Sequence, residues 1–375
     1  MRVAVIGFGV IGANVARSLA IAGASVTLFE RSGPATGTTG TSFAWINAHR
    51  KEPLAYHELN VAGMAEHARL ADHLDRTAWY FPNGGLRWAT EGTDTANLHA
   101  SVQRLCERDY PITWITPKQA LHKIGDLRLP ANVTDLAYCP TEGHVFPVPL
   151  LGRLWAEARE HGATLCQPAE VVALEEKPGA ATVCLHGGGR HEFDVVVIAV
   201  GQWTEALAGT AGITIPMTSP RQPGSAAIGL LGYTCPLPCR LNCVLTTPRL
   251  NLRPDGGGRL VFQALDLNIK VNPATPPTTD GPLAQQLRQR LADVLAGTEY
   301  AHLESLRVGQ RALPADGHTV AGFAGDHSRL YPIVTHSGIT LGPLLGRLAT
   351  AEIIHDRPQP LLAPFRPQRF HSPMH

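Results

Sequence analysis

Three glycines in the spacing G-x-G-x-x-G (Gly7, Gly9 and Gly12), followed by a carboxylate at Glu30, are the residues of this chain whose type and spacing most directly suggest chemistry. When such a set holds a dinucleotide, Gly7 allows the tight turn, Gly9 lets the backbone approach a pyrophosphate, and Gly12 lets helix and strand pack closely. The phosphates then face free amides at the positive end of a helix dipole. Glu30 is placed to accept hydrogen bonds from ribose hydroxyls, and its charge would repel a 2′-phosphate. The elements that must position these residues are legible around them. Residues 3–6 are all apolar, as in a strand buried on both faces of a parallel sheet. Residues 10–22 carry apolar side chains at helical spacing, and residues 25–29 form a second strand that ends at Glu30. Three glycines alone would be a weak signal in a chain with 37 of them, whereas strand, turn, helix, strand and acid in order specify dinucleotide binding. This stretch suits FAD and NAD alike.

The bulk composition narrows the class. At 375 residues the chain is long enough for two domains, and its 44% hydrophobic content can build a substantial core. A net charge of +1 offers no basic face for nucleic acid. No run of about 18 apolar residues is present to span a membrane, and the first strand begins at residue 3, so a cytoplasmic location is expected. Seven scattered cysteines argue against a disulfide framework. Cys235, Cys239 and Cys243 are spaced C-x3-C-x3-C, but Pro236 and Pro238 interrupt them and no fourth ligand lies nearby, so no metal site is expected.

Taken in order, residues 32–53 form a Gly/Thr/Ser-rich loop in which Thr41 and Ser42 can offer amides and hydroxyls to a cofactor lying beside them. Helices are expected over residues 54–74, 95–108, 117–124, 150–160 and 283–295, and a hairpin over 182–193 turns at Gly187 to Gly189. Residues 194–200, DVVVIAV, read as another buried parallel strand, ended by Gly201 with Trp203 after it, where open α/β sheets bind ligands. Residues 213–263 are short β-rich runs broken by Pro and Gly, which suits an antiparallel sheet. A second Gly-rich strand-to-helix turn follows near Gly338. The fold class is thus α/β: a Rossmann-type dinucleotide-binding domain from residues 1–77, 142–212 and 302–375, and a substrate domain from 78–141 and 213–301.

Five segments together resemble the D-amino acid oxidase and glycine oxidase superfamily of FAD-dependent amine oxidoreductases: VAVIGFGVIGANVARSLAIAGASVTLFER, EGHVFPVPLLGRLWAEAREHGATL, DVVVIAVGQWTEAL, VGQRALPADGHTVAG and LYPIVTHSGITLGPLLGRLATAEII, in the family's order over nearly the whole chain. The resemblance implies FAD. Gly7, Gly9, Val10, Ile11, Gly12, Glu30 and Arg31 would hold its pyrophosphate and ribose, and Val171 or Val172 would meet the adenine. Thr41, Ser42, Phe43 and Ala44 would run along the flavin, and Gly201 and Trp203 would close over the phosphates. Gly338, Ile339 and Thr340 would lie at the pyrimidine end of the ring, beside His336, a candidate for tuning charge there. Arg311 matches the arginine that binds the substrate carboxylate, with Arg253 and Arg221 as rivals and Ala312 where the family has Pro. Lys270 lies loosely where an oxygen-activating lysine occurs in sarcosine oxidases, and His49 to Pro53 has no counterpart. The implied activity is oxidation of the C–N bond of an amino acid or related carboxylated amine by hydride transfer to flavin, as a dehydrogenase or slow oxidase. The alternatives are a non-catalytic flavin subunit of an electron-transfer complex and a nicotinamide-dependent dehydrogenase.

Overall fold

The structure is a computed structural model that describes residues 1–90, 92–222 and 224–370. A six-stranded sheet runs in the order Val320–Ala321, Leu330–Val334, Val195–Ile198, Arg2–Ile6, Ser25–Phe29, Thr164–Cys166. Its strands are parallel except for the antiparallel edge Val320–Ala321. The continuous apolar runs are explained by burial on both faces, because successive side chains point to opposite sides. Val3, Val5, Val195 and Val197 pack with the helices Val10–Ile21, Leu54–His73, Pro147–Glu160 and Gly338–His355. Ala4, Ile6, Val196 and Ile198 pack instead with a three-stranded meander and the short helix Thr204–Gly209.

Backbones approach closely on the helical face. A Cβ on Gly12 would lie 1.9 Å from the Gly7 carbonyl oxygen, one on Gly63 2.6 Å from the Thr340 oxygen, and one on Gly346 2.7 Å from the Asn14 oxygen. The last α-helix therefore lies against both the first helix and Leu54–His73.

An eight-stranded sheet has the order Leu303–Gln310, Ile228–Thr234, Leu260–Gln263, Asn251–Pro254, Val244–Thr246, Gly85–Arg87, Leu136–Cys139, Thr113–Ile115. One face is covered by helix Pro282–Val294, through Leu287, Leu291 and Val294. The other carries Leu231, Tyr233, Val244 and Val261 against Phe43 and, beyond it, Trp45. Three details differ from the sequence-based expectation. Residues 213–222 form no strand, only an isolated pairing of Met217 with Pro314. Val244–Thr246 pairs with Gly85–Arg87 in parallel, so the sheet is mixed. Leu303–Gln310, expected to lie in the dinucleotide-binding domain from residue 302 onward, pairs along its length with Ile228–Thr234, and the chain stays in the large sheet through Gln310.

Candidate active site

A cavity of about 480 Å³ runs from the first strand-to-helix turn to the start of the last α-helix. At one end Gly7 has φ +101°, and a Cβ there would meet the Ala199 carbonyl oxygen at 2.6 Å, so the turn tolerates only glycine. The Thr39 hydroxyl accepts from the Val10 amide (3.0 Å) and caps the first helix from within the following loop. Gly9, Val10 and Ile11 line the cavity, whereas Gly12 lies behind it at the helix–strand contact. Glu30 is buried and accepts from the amides of Phe8 (2.8 Å), Ser32 (2.8 Å) and Gly33 (3.2 Å). Its carboxylate thus pins the turn as well as lining the cavity. The Arg31 guanidinium stacks 4.0 Å from the Trp203 ring, and both line the cavity with Gly201. Val171 lines the cavity. Val172, the other adenine-contact candidate, is 45% exposed and does not.

Thr41, Ser42, Phe43 and Ala44 form the middle wall. Ala44 is held at φ +57°, unusual for a residue with a side chain, and its amide donates to Ser42 Oγ at 3.0 Å. Gly309 faces this stretch, where a Cβ would fall 2.7 Å from Thr41 Oγ1. At the far end Gly338, Ile339 and Thr340 open the last α-helix. His67 reaches the Ile339 carbonyl from below (2.6 Å), and Asn47 donates its amide to Thr340 Oγ1 (3.4 Å). His336 lines the cavity as a neutral imidazole, its pKa drawn down to about 3 by burial and then by the charges of Lys51 and Arg311.

Arg311 lines the same end, its Nη1 donating to the Ala226 carbonyl at 2.7 Å. Of its rivals, Arg253 is 1% exposed and spent on the Phe43 and Pro254 carbonyls and on Asp255, which makes it a structural cation. Arg221 lines a neighbouring cavity that shares Arg311 as a wall. Lys270 is exposed, bonds Gln286, and does not line the cavity.

Sequence reasoning missed the lysine that does. Lys51 and its neighbours His49 and Arg50 all line the cavity, and the H-R-K run was their only signal. Beneath them lies a buried cluster around Glu142. It accepts from Arg87 (3.1 Å), Tyr110 (2.9 Å) and Trp45 Nε1 (3.1 Å), and His49 Nδ1 is 3.3 Å away. Burial pushes the Glu142 carboxyl up, but Arg87 and then His49 and Tyr110 outweigh it and hold the pKa at about 2. His49 is drawn down to about 3 by burial and Arg87, so it stays neutral beside the carboxylate. Among the described residues, no three His, Cys, Asp or Glu side chains gather as metal ligands, and no helix is long and apolar enough to cross a membrane.

The shape and chemistry of this cavity fit an extended dinucleotide. Both ends are glycine turns at helix starts, where amides and dipoles favour anionic atoms, and the wall between them is made of small residues. Known proteins agree with that fit. The chain is 25% identical over 378 residues to glycine oxidase of Geobacillus kaustophilus, covering 97% of this chain and 95% of that protein. The crystal structure of glycine oxidase from G. kaustophilus superposes with a TM-score of 0.82 at 24% identity, over 98% of this chain and 99% of that one. L-proline dehydrogenase from P. horikoshii superposes at 0.83 with 18% identity, over 99% and 97%. The family model described as DAO, FAD dependent oxidoreductase, matches residues 2–352. The chain therefore belongs to the DAO family of FAD-dependent oxidoreductases, and the dinucleotide its cavity is built for is FAD.

Proposed function

We propose that the enzyme oxidises the C–N bond of an amino acid or related carboxylated amine, with Arg311 holding the substrate carboxylate. In this reading the first glycine turn, Glu30, Arg31, Val171, Gly201 and Trp203 hold the adenosine diphosphate part of FAD. Thr41 to Ala44 and Gly338 to Thr340 flank its ring, and the six-stranded sheet and its helices form the cofactor domain. When bound, FAD accepts two electrons with a hydrogen as hydride.

The side chains supply position and field. A guanidinium pairs with a carboxylate through two parallel bonds, which fixes orientation as well as affinity. Arg50, Lys51 and Arg311 disfavour an ammonium in their midst, so the substrate amine is held unprotonated with its lone pair available. As the carbon loses hydride, that lone pair forms the C=N bond, and the imine leaves and is hydrolysed by water. The start of the last α-helix directs amides and a positive dipole end to where negative charge arrives. Neutral His336 can donate or accept a hydrogen bond there without adding a fourth charge. No strong general base is needed once the amine is neutral.

The observation that carries this reading is Arg311 in the same cavity as the Gly338 helix start. Anaerobic mixing of the yellow holoenzyme with D-amino acids, glycine derivatives and cyclic secondary amines tests it. Bleaching of the flavin bands by a carboxylated amine is expected. A holoenzyme that no member bleaches contradicts it and favours a flavin subunit that only passes electrons.

A further inference from the structure

The substrate end of the cavity carries more positive charge than one carboxylate answers. Arg50, Lys51 and Arg311 all line it, and among the described residues none of the three forms an ion pair. The cavity's two lining acids are at the other end. Glu30 is held by three amides, and Glu170 sits 3.9 Å from Arg31. Behind the cations, Arg87 and Glu142 are 3.1 Å apart and offset each other.

Two of the three cations also converge. Lys51 Nζ donates to Ser337 Oγ at 2.8 Å, one residue from His336, and the His336 ring lies within the field of both Lys51 and Arg311. Burial draws Lys51 and Arg311 below their ordinary values; at Lys51 the Tyr56 hydroxyl and the Glu142 carboxylate offset it only in part. Arg50, next to Lys51 in sequence, is exposed and lines the same space. A cavity arranged in this way is incomplete in charge with a single carboxylate bound, because buried and half-buried cations require partners.

We propose that the substrate is an amino dicarboxylate: Arg311 takes the carboxylate beside the carbon that is oxidised, and Lys51 with Arg50 takes a second carboxylate. The proposal rests on the carboxylate-binding reading of Arg311 and adds the class of substrate.

Ether analogues, in which oxygen replaces the amine and oxidation is blocked, test binding apart from turnover. Methoxyacetate carries one carboxylate and oxydiacetate two. Butanoate and succinate form the matching pair for a second carboxylate on the carbon side. Each is titrated into the holoenzyme and followed by the flavin difference spectrum. In at least one pair the dicarboxylate is expected to bind about tenfold tighter or better, the size of one charge-assisted contact. That preference should fall towards unity in Lys51→Met and in Arg50→Gln, and survive in Lys51→Arg. Because Arg50 is exposed, its variant keeps the test alive should Lys51→Met fail to fold. No preference in either pair, or a preference unchanged in both variants, overturns the proposal. Sarcosine against iminodiacetate under anaerobic conditions separates this outcome from failure of the Arg311 reading. Bleaching by sarcosine, with no gain for iminodiacetate and no preference in either analogue pair, sinks the dicarboxylate proposal alone, whereas no bleaching by either, with no analogue bound, removes both.

Discussion

At the scale of single residues, Arg311 reaches the cavity because Gly229 makes room for it: a Cβ on Gly229 would come 3.1 Å from Arg311 Nη2. Removing a guanidinium that pairs with a substrate carboxylate costs about 2–5 kcal/mol. Arg311→Ala should therefore stay yellow while losing about 30-fold or more in kcat/KM for carboxylated amines, and steady-state kinetics with unchanged values would take Arg311 out of the site. Glu142 makes a different kind of contribution. It is the carboxylate on which buried Arg87 and Tyr110 and partly buried Trp45 converge, and a glutamine would leave Arg87 charged, buried and unpaired. Breaking such a pair costs about 3–5 kcal/mol. Urea unfolding of Glu142→Gln should show a loss of that order, and a loss below about 1 kcal/mol would mean that water already screens the cluster. Arg311 was legible because a motif surrounds it. Glu142 was not, since its partners at 45, 87 and 110 are joined to it only by the fold, and no local spacing records the meeting.

At the scale of elements, the two helices that begin at the cavity's glycine turns lie against each other. They come close at Gly346, where a Cβ would be 2.7 Å from the Asn14 carbonyl oxygen. Backbone cannot move aside as a side-chain tip can, so Gly346→Ala should push the helices apart, at about 1–3 kcal/mol, and weaken flavin retention on gel filtration. Gly152 gives the contrast. It sits exposed in helix Pro147–Glu160 with nothing within 4 Å of an added Cβ. Gly152→Ala should stabilise by about 0.5–1 kcal/mol through helix propensity. Equal effects at the two positions would refute the close-approach explanation. Elements with one dominant local signal were readable from sequence: the doubly buried strands through their unbroken apolar runs, and the helices through their period. The parallel pairing of Val244–Thr246 with Gly85–Arg87 was not, because it joins three-residue strands far apart in the chain. Leu303–Gln310 is mostly partly buried, with Glu304 and Arg307 exposed and no strict alternation, and carries no mark of the sheet it enters.

At the scale of the whole molecule, three buried histidines couple folding to pH. His49 and His144 are drawn down to about 3 and His67 to about 4, in each case first by burial, from an ordinary value of 6.5. The unfolded chain binds protons at these sites that the native state refuses, so stability falls as pH drops below about 6.5. Glu142, held at about 2, adds a loss that begins below its ordinary 4.5. His144 is the cleanest probe. It stacks 5.0 Å from Phe81, makes no hydrogen bond within the protein, and has the Phe146 ring 5.7 Å away. His144→Phe should flatten the acid-side slope of stability by up to one proton, about 1.4 kcal/mol per pH unit. An unchanged slope in urea midpoints between pH 6 and 4.5 would contradict the burial argument. The central claim concerns the cavity as a whole, namely that segments near both ends of the chain grip one FAD molecule. A crystal structure of the purified yellow protein tests it most directly. Its pyrophosphate should lie against the amides beside Gly9, with the ring between Ala44 and Gly338. FAD bound anywhere else, or a flavin-saturated crystal with this cavity holding none, would contradict the account.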